Sequence, residues 1–161
     1  MNFLVIGSGA REHIIAEKLD VVGANVFSVL TNMNPGLLNI SKKYFFAKNY
    51  KLSMESIVAF ASTNFIDCVV IGPEDPLALG LSDLLWKKGI PVVGPLKKLA
   101  QIETSKGFTR DLLNKLGTDI DFSQTAFPFM ALREGRVANI PARVIRVSFT
   151  GELSFEINVS R

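Results

Sequence analysis

The sequence predicts an α/β fold: a Rossmann-like doubly wound parallel sheet, with a C-terminal segment that ends in a β-hairpin. Three observations carry this. Short apolar runs rich in β-formers alternate with helical patterns from residue 2 to residue 95, the order of a βαβ sheet. Cys68-Val69-Val70-Ile71 is continuously apolar, as strands covered on both faces tend to be. Residues 143–149 and 153–159 instead alternate apolar and polar around Thr150-Gly151-Glu152, the pattern of an antiparallel pair joined by a three-residue turn.

Asn2-Phe3-Leu4-Val5-Ile6 is the first strand, and Gly7-Ser8-Gly9-Ala10 turns it into a helix over residues 11–19. Ile14, Ile15 and Leu19 are expected on the core face of that helix, and Gly23 ends it. Residues 26–30 form the second strand, and Asn32-Met33-Asn34-Pro35-Gly36 is a turn-rich loop after it. Tyr44-Phe45-Phe46 is a short third strand. Ser53 is the expected N-cap of the next helix, which carries Ile57, Val58 and Phe60. Residues 67–71 are the fourth strand, Gly72-Pro73-Glu74-Asp75-Pro76 the loop after it, and 77–88 a helix with Leu77, Leu81, Leu84 and Leu85 on one face. Gly89 stops that helix, residues 90–93 are the last strand, and Gly94-Pro95 closes the unit. Ser105 then caps a helix with Phe108, Leu112, Leu113 and Leu116, and Gly117 follows it as a C′ residue. Residues 119–142 are less regular. On the hairpin, Ile145, Val147 and Phe149 share a face, as do Leu153, Phe155, Ile157 and Val159. Two strands alone are marginal, so that face needs a cover, which the sheet edge or a second copy of the chain supplies.

Composition narrows the functional classes. The chain has 161 residues, 48% of them hydrophobic, and a net charge of only +3, which disfavours a nucleic-acid binder. A single cysteine, Cys68, lies inside an apolar run, so a disulfide framework is excluded and a reducing, cytoplasmic setting fits. No apolar run approaches the roughly 20 residues of a membrane span.

Ligands of doubly wound sheets bind beyond the C-terminal strand ends, where three loops converge: those at 7–11, 32–36 and 72–76. Gly7-Ser8-Gly9-Ala10-Arg11 aims backbone N–H groups at an anion. Glu12 stands where the third glycine of a dinucleotide fingerprint belongs, and Leu30-Thr31-Asn32 offers no acid for a ribose. A sugar phosphate or mononucleotide therefore fits better than NAD, with Arg11 as a charged partner; a bare glycine turn is the alternative. Glu74 is placed to accept from ribose hydroxyls or an amine. His13, the single histidine, opens the first helix, where capping or burial is commoner than catalysis. Arg133, Arg136, Arg143 and Arg146 read as a solvated basic face.

Val5-Ile6-Gly7-Ser8-Gly9-Ala10-Arg11-Glu12-His13, Asn34-Pro35-Gly36, Val70-Ile71-Gly72-Pro73-Glu74-Asp75-Pro76-Leu77, Gly94-Pro95 and Ser105-Lys106-Gly107-Phe108 occur in an order that resembles the N-terminal domain of glycinamide ribonucleotide synthetase (phosphoribosylamine–glycine ligase), an ATP-grasp family. The resemblance covers residues 1–116. It implies that Gly7, Ser8, Gly9, Ala10 and Arg11 hold a substrate phosphate, and that Glu12, Asn34, Gly36, Pro73 and Glu74 contact the rest of the substrate. It also implies that Lys106 approaches the nucleotide of an intact ligase, which uses ATP and Mg²⁺ to join glycine to phosphoribosylamine. No ATP-grasp glycine loop or metal-binding set follows, so no cofactor, resident metal or catalytic residue is expected here and the ligation is not expected to go to completion.

Phe127-Pro128-Phe129-Met130, Arg133-Glu134-Gly135, Pro141-Ala142-Arg143-Val144 and Arg146-Val147-Ser148-Phe149-Thr150-Gly151-Glu152-Leu153-Ser154-Phe155-Glu156-Ile157 resemble instead the folate-binding, aminomethyltransferase-type domain of sarcosine oxidase alpha subunits. By that resemblance Glu152 and Glu156 are the folate-contacting candidates. The expectation is a chimera, made by joining fragments of two proteins: a substrate-side domain over 1–95, a helical linker over 96–116 and a foreign segment over 117–161. Its expected partner is a small phosphorylated sugar or phosphate. Neither nucleic acid nor a membrane is expected, and a homo-oligomer through the hairpin is the further possibility. The rival readings are a structural or oligomerising chain without ligand, and a folate-binding fragment.

Overall fold

The computed structural model describes residues 1–147 and 155–159, without the side chains at 106, 110, 113 and 114. Its contacts divide it into two compact units, Met1–Ala100 and Gln101–Arg161.

The first unit runs β1 (Asn2–Ile6), α1 (Ala10–Val21), β2 (Asn25–Leu30), α2 (Pro35–Ile40), β3 (Lys43–Phe46), α3 (Tyr50–Thr63), β4 (Cys68–Ile71), α4 (Glu74–Leu79), α5 (Leu81–Lys87) and β5 (Val92–Val93). All five strands are parallel, in the order β3-β2-β1-β4-β5. Alternate strand residues feed opposite faces. Val5, Val26 and Leu30 meet Ala16 of α1 and Leu37 of α2. Leu4, Ile6, Val29, Val69 and Ile71 meet Ile57 and Ala61 of α3, Leu77 of α4 and Leu81 and Leu85 of α5. Helices therefore cover both faces, and burying each such side chain contributes about 1.5–3 kcal/mol.

Several local expectations are corrected. Asn49, not Ser53, caps α3: its Oδ1 accepts from Leu52 N at 2.8 Å, and Ser53 is buried inside the helix. Ile14 is exposed, because α1 turns Glu12 and Ala16 to the sheet. The helix expected over 77–88 is two helices, broken at Gly80, whose φ of +95° no helix accommodates. The loop at 32–36 opens a short helix, capped by Asn34 Oδ1 accepting from Leu37 N at 3.2 Å.

The second unit carries α7 (Lys106–Lys115), after α6 (Lys97–Thr104), and then β6 (Leu132–Val137), β7 (Ile140–Arg146) and β8 (Phe155–Val159) in an antiparallel sheet. Ser105 Oγ accepts from Phe108 N at 3.3 Å, and Gly117 has φ +63°, so the cap and the stop fall at the expected residues. β6 falls in the less regular stretch. Its turn to β7 uses Ala138 and Asn139, both at positive φ, the geometry of a tight hairpin without its usual Asn-Gly or Asp-Gly signal. The β7–β8 register pairs Arg146 with Phe155 and Val144 with Ile157. Residue-for-residue pairing across a three-residue turn at 150–152 puts Val147 opposite Phe155 instead. A slip of one residue exchanges the faces. Ala142, Val144 and Arg146 are therefore buried, where Ile145 and Val147 were expected to form the apolar face. The expected turn and Leu153 lie outside the described residues. Ile120, Phe122 and Phe127 pack against Ala142, Val144 and Phe155, so this unit supplies its own small core.

Candidate functional site

The chain runs from β1 outward to β2 and β3 on one side, and to β4 and β5 on the other. The strand order therefore reverses between β1 and β4, where such sheets open a crevice for ligands. The loops beyond these strands are tied to their neighbours: Gly7 N donates to Val29 O and Gly72 N to Ile6 O, both at 3.0 Å.

Glu12 organises the crevice from below. It is buried, and its Oε2 accepts from Gly9 N at 2.8 Å while Oε1 accepts from Arg11 Nε at 3.0 Å. A carboxylate in the first turn of a helix also suits the helix dipole. The glycines are explained by this side chain. A Cβ at Gly7 would stand 2.6 Å from Glu12 Cγ, and one at Gly72 would stand 2.0 Å from its Oε1. Glu12 thus fills the space that a third glycine would leave empty, and turns its carboxylate onto its own loop. Ala10 and Arg11, next in the first turn of α1, have N–H groups with no carbonyl four residues back inside the helix.

The other expected residues knit the three loops together. Asn34 Nδ2 donates to Ser8 O at 3.0 Å while its Oδ1 caps α2. Ser8 Oγ accepts from Thr31 N at 2.9 Å and Asn32 N at 3.2 Å. The exposed Arg11 guanidinium donates to Gly72 O, joining the first loop to the third. Gly36 lies against the His13 ring, where a Cβ would come 2.1 Å from Nε2. His13 Nε2 is 3.5 Å from Glu17 Oε1, so the imidazole serves packing and a partner on its own helix. Pro73 caps α4, which places Glu74 and Asp75, both exposed, in its first turn.

A cleft of about 790 Å³ opens beside these loops, lined among others by Thr31, Lys48, Tyr50, Lys51, Asp75 and Leu79. The Tyr50 phenol is pushed above its ordinary value by burial; a hydrogen bond with Thr31 opposes the shift, and the Glu12 and Asp75 carboxylates add to it. Residues 48–51 fall before the helix start expected at Ser53 and carry no expected element. Their signal was available, since they too follow the C-terminal end of a strand.

In the second unit Glu156 lies opposite Ile145 and lines a separate cleft of about 660 Å³ with Glu134, Arg143 and Asn158. Arg143 donates to Glu134 Oε1 from Nε at 3.0 Å and Nη2 at 2.7 Å. Arg146 departs from the solvated basic face: it is buried, donates to Phe127 O at 2.6 Å, and leaves Nε without a partner. Glu152 lies outside the described residues, and Lys106 opens α7. Among the described residues, no group of three or more His, Cys, Asp or Glu is placed to hold a metal ion. None of their helices is long and apolar enough to cross a membrane.

Comparison with known proteins follows the same division. Residues 1–103 match the family model described as phosphoribosylglycinamide synthetase, N domain. Residues 97–161 match that of the GCVT N-terminal domain. A phosphoribosylamine–glycine ligase of Methanosphaera stadtmanae is 42% identical over 138 residues, covering 81% of this chain and 31% of its own length. One of Methanocorpusculum labreanum is 45% identical over 121 residues, covering 74% and 27%. The chain thus spans about three-tenths of the curated relatives it matches. Among solved structures, glycinamide-RNase-transformylase T from Mycobacterium tuberculosis aligns with a TM-score of 0.58 at 15% identity, over 83% of this chain and 38% of that one. Phosphoribosylglycinamide synthetase from Anaerococcus prevotii aligns with a TM-score of 0.58 at 13% identity, over 73% and 29%. With its family match spanning the parallel sheet and all three loops of the crevice, the chain belongs to the phosphoribosylglycinamide synthetase N-domain family.

Proposed function

We propose that the Met1–Ala100 unit is the substrate-side domain of a purine-biosynthesis ligase of the phosphoribosylamine–glycine type, and that it binds a phosphoribosyl compound in the crevice between β1 and β4. One observation carries the reading: hydrogen bonds of Asn34, Ser8 and Arg11 tie the three loops beyond the strand ends together. Such pre-ordering lowers the entropic cost of binding. The exposed Glu74, in the first turn of α4 after β4, offers a carboxylate suited to an amine or sugar hydroxyls.

The longer relatives are named as phosphoribosylamine–glycine ligases. The residues of this chain contribute binding and orientation, in the cytoplasm, where the free thiol stays reduced. We also propose that the chain is a fusion. The support is the meeting of two family models at 97–103, together with a parallel sheet on one side and an antiparallel one on the other.

Calorimetry with glycinamide ribonucleotide tests the binding. A saturable heat is expected for the whole chain, and its loss in Gly9→Asp, which sets a second carboxylate beside Glu12 Oε2. Binding unchanged by that substitution removes the first loop from the site.

A further inference from the structure

The charges around the crevice are unevenly divided. Its floor carries Glu12, whose carboxylate already takes the N–H of Gly9. Its rim carries Glu74 and Asp75. Arg11 turns its guanidinium back onto Glu12 and the Gly72 carbonyl. A doubly charged phosphate placed at the glycine turn would sit among carboxylates, at a cost set by like-charge repulsion. The adjoining cleft differs. Lys48 and Lys51 line it, both exposed and neither in an ion pair among the described residues, and Asp75 at the shared rim is the one acid among its lining residues. Thr31, Asn32 and Asn49 add polar groups, and Tyr50 and Leu79 add apolar surface. Its volume of about 790 Å³ suits a sugar phosphate. Thr31 joins the two spaces: its Oγ1 is 3.5 Å from Ser8 Oγ of the glycine turn, and its side chain meets the Tyr50 phenol on the cleft side.

We propose that the cleft bearing Lys48 and Lys51 is the phosphate subsite of the phosphoribosyl ligand. The ligand then lies across the crevice with its sugar over Thr31 and its amine-bearing end towards Glu74 and Asp75. The charges of ligand and site run in opposite senses: anion to the two lysines, amine to the carboxylates. This orientation rests on the reading that the crevice binds a phosphoribosyl compound. It moves the phosphate away from the glycine turn, where the Glu12 carboxylate already takes the N–H of Gly9.

Paired titrations of the whole chain with ribose 5-phosphate and with ribose separate the two ideas. Ribose 5-phosphate is expected to bind, more weakly as salt rises, because the contact is ionic. Lys48→Met and Lys51→Met are each expected to weaken it about tenfold, the usual order for one charge-assisted contact. Lys51→Glu is expected to abolish it, with ribose binding and the melting curve unchanged in every variant. Failure of the unsubstituted chain to bind ribose 5-phosphate overturns the phosphoribosyl reading itself. Binding that survives all three substitutions but is lost in Gly9→Asp leaves that reading standing and overturns the lysine subsite.

Discussion

Glu12 is the residue on which the crevice depends, and its role shows only when three glycines are considered with it. Gly7, Gly9 and Gly72 all lie within 3 Å of its side chain once a Cβ is built on them. Gly72→Ala is expected to destabilise the chain by about 1–3 kcal/mol through overpacking, read as a lower urea midpoint at an unchanged slope. Gly36→Ala is expected to cost a similar amount, about 1–3 kcal/mol, because it drives a methyl into the His13 ring. From sequence, Gly7 and Gly9 were legible as a turn, and Glu12 as a departure from the dinucleotide pattern. That the departure fills the space between two strand-end loops was not, since it depends on Gly72, sixty residues away in the chain. Burial pushes the Cys68 thiol above its ordinary value, with Asp67 adding to the shift. Its alkylation in the native chain is expected to be slower than that of free cysteine at the same pH, as fewer molecules carry the thiolate. Equal rates would show an open thiol.

At the level of elements, all five parallel strands were legible: β1, β4 and β5 from apolar runs with a glycine directly after them, β2 and β3 from short runs of β-formers. Helix ends were less so. Ser53 is as good a cap as Asn49 by composition, but Asn49 makes the capping bond and Ser53 is buried one turn into the helix. β6 was hidden by Arg133, Glu134 and Arg136, which give a strand with only one small apolar face. Phe65 shows a local preference overridden. It follows α3 at φ +50°, where glycine or asparagine is usual, with its ring largely in solvent. Phe65→Gly is expected to stabilise the chain by about 1 kcal/mol, the approximate cost of a left-handed backbone for a bulky residue. A loss of stability would show that the exposed ring packs. Tyr50 gives the pH dependence. Its pKa is raised in the folded chain, so the fold favours the neutral phenol. The unfolded chain ionises first, from about pH 10, and stability falls as pH rises through that range. Tyr50→Phe is expected to flatten that fall in a urea-midpoint series across pH 8–11, and an unchanged slope would place the phenol in solvent.

For the molecule as a whole, both parts of the sequence reading meet the family matches, which change over at 97–103. The change of strand pattern was visible in the sequence, but the place of the change was not, because Arg110-Asp111-Leu112-Leu113 suits a helix in either context. Each unit buries its own apolar cluster: Leu4, Ile6 and Val69 with α3–α5 in the first, and Phe122, Phe127 and Val144 in the second. The proposal that matters most is phosphoribosyl binding in the first unit, in the crevice between β1 and β4. Amide NMR of the whole chain during titration with ribose 5-phosphate tests this most directly. The account predicts saturable shifts at Ser8, Gly9, Ala10, Thr31, Lys48, Lys51 and Gly72, with the amides of β6 and β7 unmoved. Shifts confined to β6 and β7, or no saturable shift at all, would contradict it.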